Sequence, residues 1–184
     1  MTITNNDGLI LLEHSHVFRD DRGLFTEIYN KKKLKDIGLE VDFVQDNYSK
    51  SKRGVLRGLH FQCPNPQGKL IKVMRGSILD VVVNMKKSSP FFGKHYKFLL
   101  SKENNRMLYI PEYFAHGFLS LQDDTEVLYK CTDFYQPQNE RGIIWNDSDL
   151  SIDWNLENNK LNNEDLIISE KDKVLSLFKD SIYF

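Results

Sequence analysis

Apolar residues in the middle of the chain come in short runs separated by turn formers. "LIKVM" (70–74) breaks at "RGS" and resumes as "ILDVVVNM" (78–85). "RMLYIP" (106–111) is followed by "GFLSL" (117–121), and "QDDT" (122–125) turns the chain into "EVLYKCTDFY" (126–135). Runs of this length and spacing, with little helical periodicity, predict many short strands in a β-sandwich or barrel. Helical patterning is confined to two places. "NKKKLKDI" (30–37) stops at Gly38, and "SEKDKVLSLFKD" (169–180) has Ser169 as cap and Val174, Leu175, Leu177 and Phe178 as its apolar side. The Asn-rich stretch 155–165 reads as a surface loop. There is no internal repeat and no linker, so 184 residues predict one domain, 1–184.

Strand alternation sorts the polar residues. In 126–135 one face carries Val127, Tyr129, Cys131, Asp133 and Tyr135, two tyrosines on a side able to line a barrel mouth. The bland reading of those tyrosines is packing with a satisfied hydroxyl. In "GVLRGLHFQ" (54–62), His60 and Gln62 share a face and Arg57 falls on the other. For all three to serve one pocket the strand must bulge, and Gly58 is the place for it. Otherwise Arg57 faces solvent or a partner subunit, and a lone strand histidine is more often structural than catalytic.

Composition narrows the partners. Formal net charge is −1, with Lys+Arg 25 against Asp+Glu 26. That balance lacks the basic excess expected of a nucleic-acid or membrane-surface binder. No apolar run approaches the ~18 residues of a membrane span. The first residues, "MTITNNDGLILLEHSH", show no leader pattern. Two cysteines, Cys63 and Cys131, are too few for a disulfide framework, and the expectation is reduced thiols in the cytoplasm.

Other polar residues sit at turns. Lys69 follows "PQG"; His116 lies in "PEYFAHGF" (111–118); Arg22 and Glu27 flank a turn at Gly23; Gln45 and Asn47 share a face in "VQDNYS". Each has an ordinary reading as a solvated or backbone-bonded side chain. Small barrels often hold a metal through a His-x-His pair, a carboxylate and a distant histidine. Here that pair reads His60-Phe61-Gln62, and glutamine is a poor ligand. "HSH" at 14–16 has no obvious acidic partner, and His95 lies in an unrelated segment, so no metal and no cofactor are expected.

Taken together, "DDRGLFTE", "QDNYSKSKRGVLRGLHFQ", "QGKL", "PEYFAHGF", "LYKCTDFY", "WNDSDLSIDW" and "SEKD", in this order from residue 18 to 172, resemble the dTDP-4-dehydrorhamnose 3,5-epimerase family. These are metal-independent cupin sugar-nucleotide epimerases. The resemblance implies a mainly β double-stranded β-helix (jelly roll) with short flanking helices, and a homodimer with sheets extended across the interface. It implies a dTDP-linked 4-keto-6-deoxy sugar as substrate, inverted at C3 and C5 for dTDP-L-rhamnose or related deoxysugar and polysaccharide synthesis. Carried over by motif, His60 would accept the proton, Tyr129 donate one, and Asp172 pair with His60. Arg22, Phe25, Glu27, Gln45, Asn47, Arg57, Lys69, His116, Glu140 and Lys171 would contact substrate, and Tyr135 would stack on thymine. The chain departs from the family pattern at Tyr113, usually glycine, at Asn84, usually an acid, and at Lys86, usually arginine. None of these touches the His60–Tyr129 pair.

The residue types suit that chemistry. A hydrogen beside a ketone is removed by a base whose pKa lies near working pH, such as imidazole, with a carboxylate fixing its tautomer. The enolate oxygen needs cationic donors, Lys69 or Arg57, and a diphosphate suits arginine. A protonated tyrosine serves the opposite face. Three rivals keep part of this picture: an epimerase acting at C3 alone or on another nucleotide-linked 4-keto sugar, a 3,4-ketoisomerase, and a non-catalytic cupin that binds a sugar nucleotide. Ketoisomerases of this fold tend to use a histidine pair, which Tyr129 argues against. A binding module needs neither base nor acid.

Overall fold

The computed structural model describes residues 2–4, 7–13 and 17–184. In chain order they form β1 (Thr2–Thr4), β2 (Ile10–Glu13), β3 (Val17–Asp20), β4 (Gly23–Thr26), α1 (Lys31–Asp36) and β5 (Gln45–Ser51). Next come β6 (Leu56–Gln62), β7 (Lys69–Arg75), β8 (Ser77–Asn84), β9 (His95–Ser101) and β10 (Arg106–Ile110). The chain ends through β11 (Phe114–Ser120), β12 (Thr125–Cys131), β13 (Glu140–Gly142) and α2 (Glu170–Lys173). The fold is mainly β and jelly-roll in kind, as the run pattern and the family resemblance led one to expect. A six-stranded sheet has the order β1-β2-β10-β7-β12-β5, and a five-stranded sheet has the order β13-β6-β11-β8-β9. Strand neighbours in both sheets are antiparallel.

Alternation sends residues to three apolar layers. Between the sheets lie Ile71, Val73, Ile78, Val82, Leu108, Ile110, Phe114, Phe118 and Val127. The far face of the five-stranded sheet, with Leu79, Val81 and Val83, is covered by the chain after β13 through Leu150, Trp154 and Leu161. That is why β8 reads as a continuous apolar run: every one of its residues is buried. The far face of the six-stranded sheet is covered by α1 and the residues after it, through Leu34 and Leu39. Fully burying one such side chain stabilises by roughly 1.5–3 kcal/mol.

The helix α1 begins and stops where its caps dictate. The Asn30 side chain accepts from the Lys33 N–H. Gly38 turns left-handed (φ +87°), and the Leu39 N–H donates back to the Leu34 carbonyl at 2.9 Å. The tail differs from expectation. The α-helix is the single turn α2, with Ser169 capping Asp172, and a separate 3-10 turn follows at Phe178–Asp180. A continuous α-helix over 174–180 loses to tertiary bonds: the Ser176 carbonyl accepts from the Ile144 N–H, and the Phe178 N–H donates to Asp147. The Asn-rich stretch carries two short 3-10 turns, Glu157–Asn159 and Asn163–Asp165, with Leu161 buried between them.

Candidate active site

The site is built on a fault in strand alternation. Along β6 and β11 the pairing runs His60 with His116, then Arg57 with Phe118. Three steps on β6 face two on β11, so one extra residue reverses the side-chain alternation between Arg57 and His60. Gly58 (φ +108°) and Gly117 make this bulge possible. A Cβ on Gly58 would lie 2.6 Å from Gly117 Cα, and one on Gly117 would lie 2.6 Å from the Arg57 carbonyl oxygen. Arg57 and His60 therefore line the same cavity despite their odd spacing.

That cavity, about 510 Å³, brings together His60, Arg57, Lys69, His116, Tyr129 and Asp172 from five different elements. His60 Nε2 lies 2.7 Å from Asp172 Oδ1. A carboxylate only accepts, so Nε2 carries the hydrogen and Nδ1 keeps the basic lone pair. Burial pushes the Asp172 carboxyl up, but the His60 ring, the Gly58 N–H and Ser169 outweigh it and hold the carboxyl below its ordinary value. Burial, with Cys131 nearby, raises the Tyr129 hydroxyl above its usual 10.0, so it stays protonated at neutral pH. Burial lowers the Lys69 ammonium below its usual 10.5, against the pull of Cys131, Asp80 and Glu140. Neither Lys69 nor Arg57 forms an ion pair among the described residues.

A second, polar chamber of about 300 Å³ shares His60, Lys69 and Tyr129 as a common wall and adds Gln45, Asn47, Tyr135 and Glu140. Tyr135 is not on the face of β12, because the strand stops at Cys131. It stands on the rim instead, half exposed, and its hydroxyl donates to Glu140 Oε2 at 2.6 Å, a bond that pushes its pKa up to about 12. Glu140 also pairs with Lys171. Burial raises the Glu140 carboxyl, and its bonds to Lys171 and Tyr135 bring it below its ordinary value. Gln45 Nε2 donates to Asn47 Oδ1 at 3.0 Å.

Three expected contacts stay outside these chambers. Arg22 lies in the turn between β3 and β4, Phe25 in β4 and Glu27 just after it, on a two-stranded ribbon that among the described residues pairs with neither large sheet. Arg22 folds back onto Asp20, Glu27 bonds Asn30 and Lys33 beside α1, and Phe25 is 70% exposed. Within one chain, local bonds and the ribbon's separation keep them from His60. The family departures also lie elsewhere. Asn84, Lys86 and Tyr113 surround a different cavity, and Lys86 Nζ stands 4.9 Å from the Tyr113 ring centroid. His14 and His16 lie outside the described residues, and among those described no group of three His, Cys, Asp or Glu is placed to hold a metal ion.

Asp80 was not singled out from the sequence. It is fully buried in β8, and His116 Nε2 lies 2.8 Å from its Oδ2. The signal was there: a carboxylate in "ILDVVV", on the inward side of an otherwise apolar strand. Gln67 also lines the polar chamber, its amide donating to the Asp133 carbonyl at 2.7 Å.

Known proteins share this arrangement of strands. The family model described as dTDP-4-dehydrorhamnose 3,5-epimerase matches residues 4–180. A dTDP-4-dehydrorhamnose 3,5-epimerase of Methanothermobacter thermautotrophicus is 52% identical over 170 residues, 92% of this chain and 89% of that one. The crystal structure of the Bacillus anthracis dTDP-4-dehydrorhamnose 3,5-epimerase with TDP and PPi bound superposes with a TM-score of 0.88 at 44% identity, covering 96% of this chain and 98% of that one. A Legionella pneumophila dTDP-6-deoxy-D-glucose-3,5-epimerase in complex with dTDP-4-keto-L-rhamnose also gives 0.88, at 38% identity, covering 98% and 93%. With most of its length matched on all these grounds, the chain belongs to the dTDP-4-dehydrorhamnose 3,5-epimerase family.

Proposed function

We propose that the chain inverts C3 and C5 of dTDP-4-dehydro-6-deoxy-α-D-glucose to give dTDP-4-dehydro-β-L-rhamnose. The observation that carries this reading is one cavity holding a carboxylate-bound imidazole and a half-buried, protonated tyrosine hydroxyl. His60 Nδ1 takes the hydrogen beside the ketone as a proton. The C–H electrons form the enolate double bond, and the C4 oxygen gains negative charge. Lys69 and Arg57 stabilise that oxyanion; one such donor is worth on the order of 3 kcal/mol in comparable sites. Tyr129 then protonates the carbon from the other face and the ketone reforms; His60 gives its proton to solvent, and solvent restores the tyrosine proton. Asp172 orients the imidazole and stabilises its charged form. Gln45, Asn47, Glu140, Lys171 and Tyr135 serve the nucleotide side, with Tyr135 stacking on thymine, and His116 contacts the sugar.

The enzyme works as a homodimer. Phe18, Leu24 and Phe25 on the β3–β4 ribbon are 61%, 49% and 70% exposed, a patch that a second copy covers. The ribbon then reaches the partner's chamber, which accounts for Arg22, Phe25 and Glu27 lying away from their own. Among the described residues, no helix is long and apolar enough to cross a membrane.

NMR of dTDP-4-dehydro-6-deoxyglucose in D2O with the purified chain tests the reaction. Loss of both the C3 and C5 proton signals is expected. Loss of one alone makes the enzyme a mono-epimerase, and loss of neither overturns the proposal. Light scattering decides the dimer; a monomer at micromolar concentration removes it.

A further inference from the structure

Gln62 occupies the place where a metal-binding cupin has its second histidine, and its amide is tied to the protein itself. It is 4% exposed. Its Nε2 donates to the Phe134 carbonyl at 3.2 Å and to the Asn65 carbonyl. Its Oε1 accepts from the Gln136 N–H at 2.8 Å. These bonds bracket Tyr135, and the Tyr135 N–H itself donates to Gln45 Oε1 at 2.9 Å. Three consecutive backbone groups, at 134, 135 and 136, are thus held by two glutamine side chains from β6 and β5. The segment lies beyond the end of β12 and has no ladder bonds of its own to fix it.

Only an amide serves here. It presents a donor and an acceptor at one tip, so it can take a carbonyl and an N–H two residues apart. A carboxylate would face the Phe134 carbonyl with like charge. An imidazole has a single ring edge to offer each partner. The tyrosine ring is held at its other end by Glu140, leaving about half of its surface open.

We infer that Gln62 is a positioning residue for nucleotide binding, fixing the Tyr135 backbone so that the ring stands ready for the base. This rests on the reading that Tyr135 stacks on thymine. A ring already in place loses no conformational freedom on binding, so removing the clamp weakens affinity for the nucleotide without touching the diphosphate contacts. The position that elsewhere holds a metal is used here to hold a loop.

Calorimetry on the full chain, with dTDP and with inorganic pyrophosphate as probes, tests the inference. Gln62→Met raises the Kd for dTDP about tenfold, in the range of one lost aromatic–base contact. The Kd for pyrophosphate stays put, and the loss in turnover appears in KM more than in kcat. Tyr135→Ala has a similar effect on dTDP. Because Gln62 acts through Tyr135, adding Gln62→Met to Tyr135→Ala weakens dTDP binding no further. Gln62→Asn keeps an amide but cannot span residues 134 and 136, and it replaces the methionine variant if that one does not fold. If Tyr135→Ala weakens dTDP and the Gln62 variant does not, the clamp is wrong and stacking stands. If Tyr135→Ala has no effect, the stacking reading falls and takes the clamp with it. Full additivity, or equal loss for pyrophosphate, also overturns the clamp.

Discussion

Two histidines in this molecule are each bonded through Nε2 to a buried aspartate, at 2.7 Å in His60–Asp172 and 2.8 Å in His116–Asp80. They face one another across the β6–β11 pair. Their surroundings set them apart. Asp80 and His116 are diagonal neighbours in one sheet, since Asp80 pairs with Phe118 and Val82 with His116. The His116 side chain is 9% exposed, and Asp80 Oδ1 has no hydrogen-bond partner among the described residues. Asp172 arrives from α2, 112 residues along the chain, and its second oxygen accepts the Gly58 N–H. The His60 side chain is 28% exposed. The same bond thus gives a satisfied, accessible imidazole in one place and an enclosed one in the other. The accessible ring suits proton transfer, and the enclosed one suits fixing a contact.

The largest test of this contrast is removal of each ring. His60→Ala is expected to lower solvent exchange at C3 and C5 by ~10²–10⁴-fold, the usual cost of losing a general base. His116→Ala is expected to keep measurable exchange. The reverse order, read by NMR in D2O, would exchange the two roles.

Tyr129→Phe sharpens the picture by separating abstraction from reprotonation. His60 still forms the enolate and can return the proton to the face it left. Deuterium therefore still enters the substrate while inverted product nearly disappears. Stability changes by at most roughly 1 kcal/mol for the lost hydroxyl. A parallel fall in exchange and inversion removes Tyr129 from the acid's role.

The aspartates should divide activity from stability. Asp172→Asn is expected to lower kcat about 10–100-fold, as with other residues that orient a ligating or catalytic imidazole, and to leave the urea midpoint nearly unchanged. Asp80→Ala leaves a buried ring N–H unsatisfied and is expected to cost roughly 1–3 kcal/mol of stability. Urea titrations and initial rates on both variants decide this, and a kcat effect confined to the Asp80 variant would reverse the contrast.

Smaller effects follow from pH and from metal removal. Burial lowers the Lys69 ammonium and raises the Tyr129 hydroxyl. On raising the pH, the Lys69 charge is therefore lost below its usual 10.5, and Tyr129 gives up its proton above 10.0. If loss of the Lys69 charge sets the alkaline fall in kcat/KM, Lys69→Arg moves that fall upward. A limb that stays in place assigns it elsewhere. His60 and His116 each already have a carboxylate on Nε2, and Gln62 is tied to the backbone, so EDTA is expected to change turnover by nothing measurable. A loss restored by Mn²⁺ or Fe²⁺ would contradict that.

Much of the fold was legible because it rests on local rules. Alternation over 126–131 put Val127, Tyr129 and Cys131 on the inner side, and Asn30 and Gly38 bounded α1. The glycine in "LRGLH" marked the bulge that brings Arg57 beside His60. Family motifs named residues that one chamber does gather, His60, Tyr129 and Asp172 among them. Tertiary structure decided the rest. Tyr135 left the strand face because β12 ends four residues earlier, and the tail formed no α-helix beyond α2 because Ile144 and Asp147 claim its backbone groups. The Asp80–His116 bond depends on which strands become neighbours, and the ribbon's position on its pairing, among the described residues, with neither large sheet. Periodicity reports which side of an element is buried, over a few residues at a time. Which distant group meets that side is set by strand order and by competition for hydrogen bonds, and those exist only once the whole chain has packed.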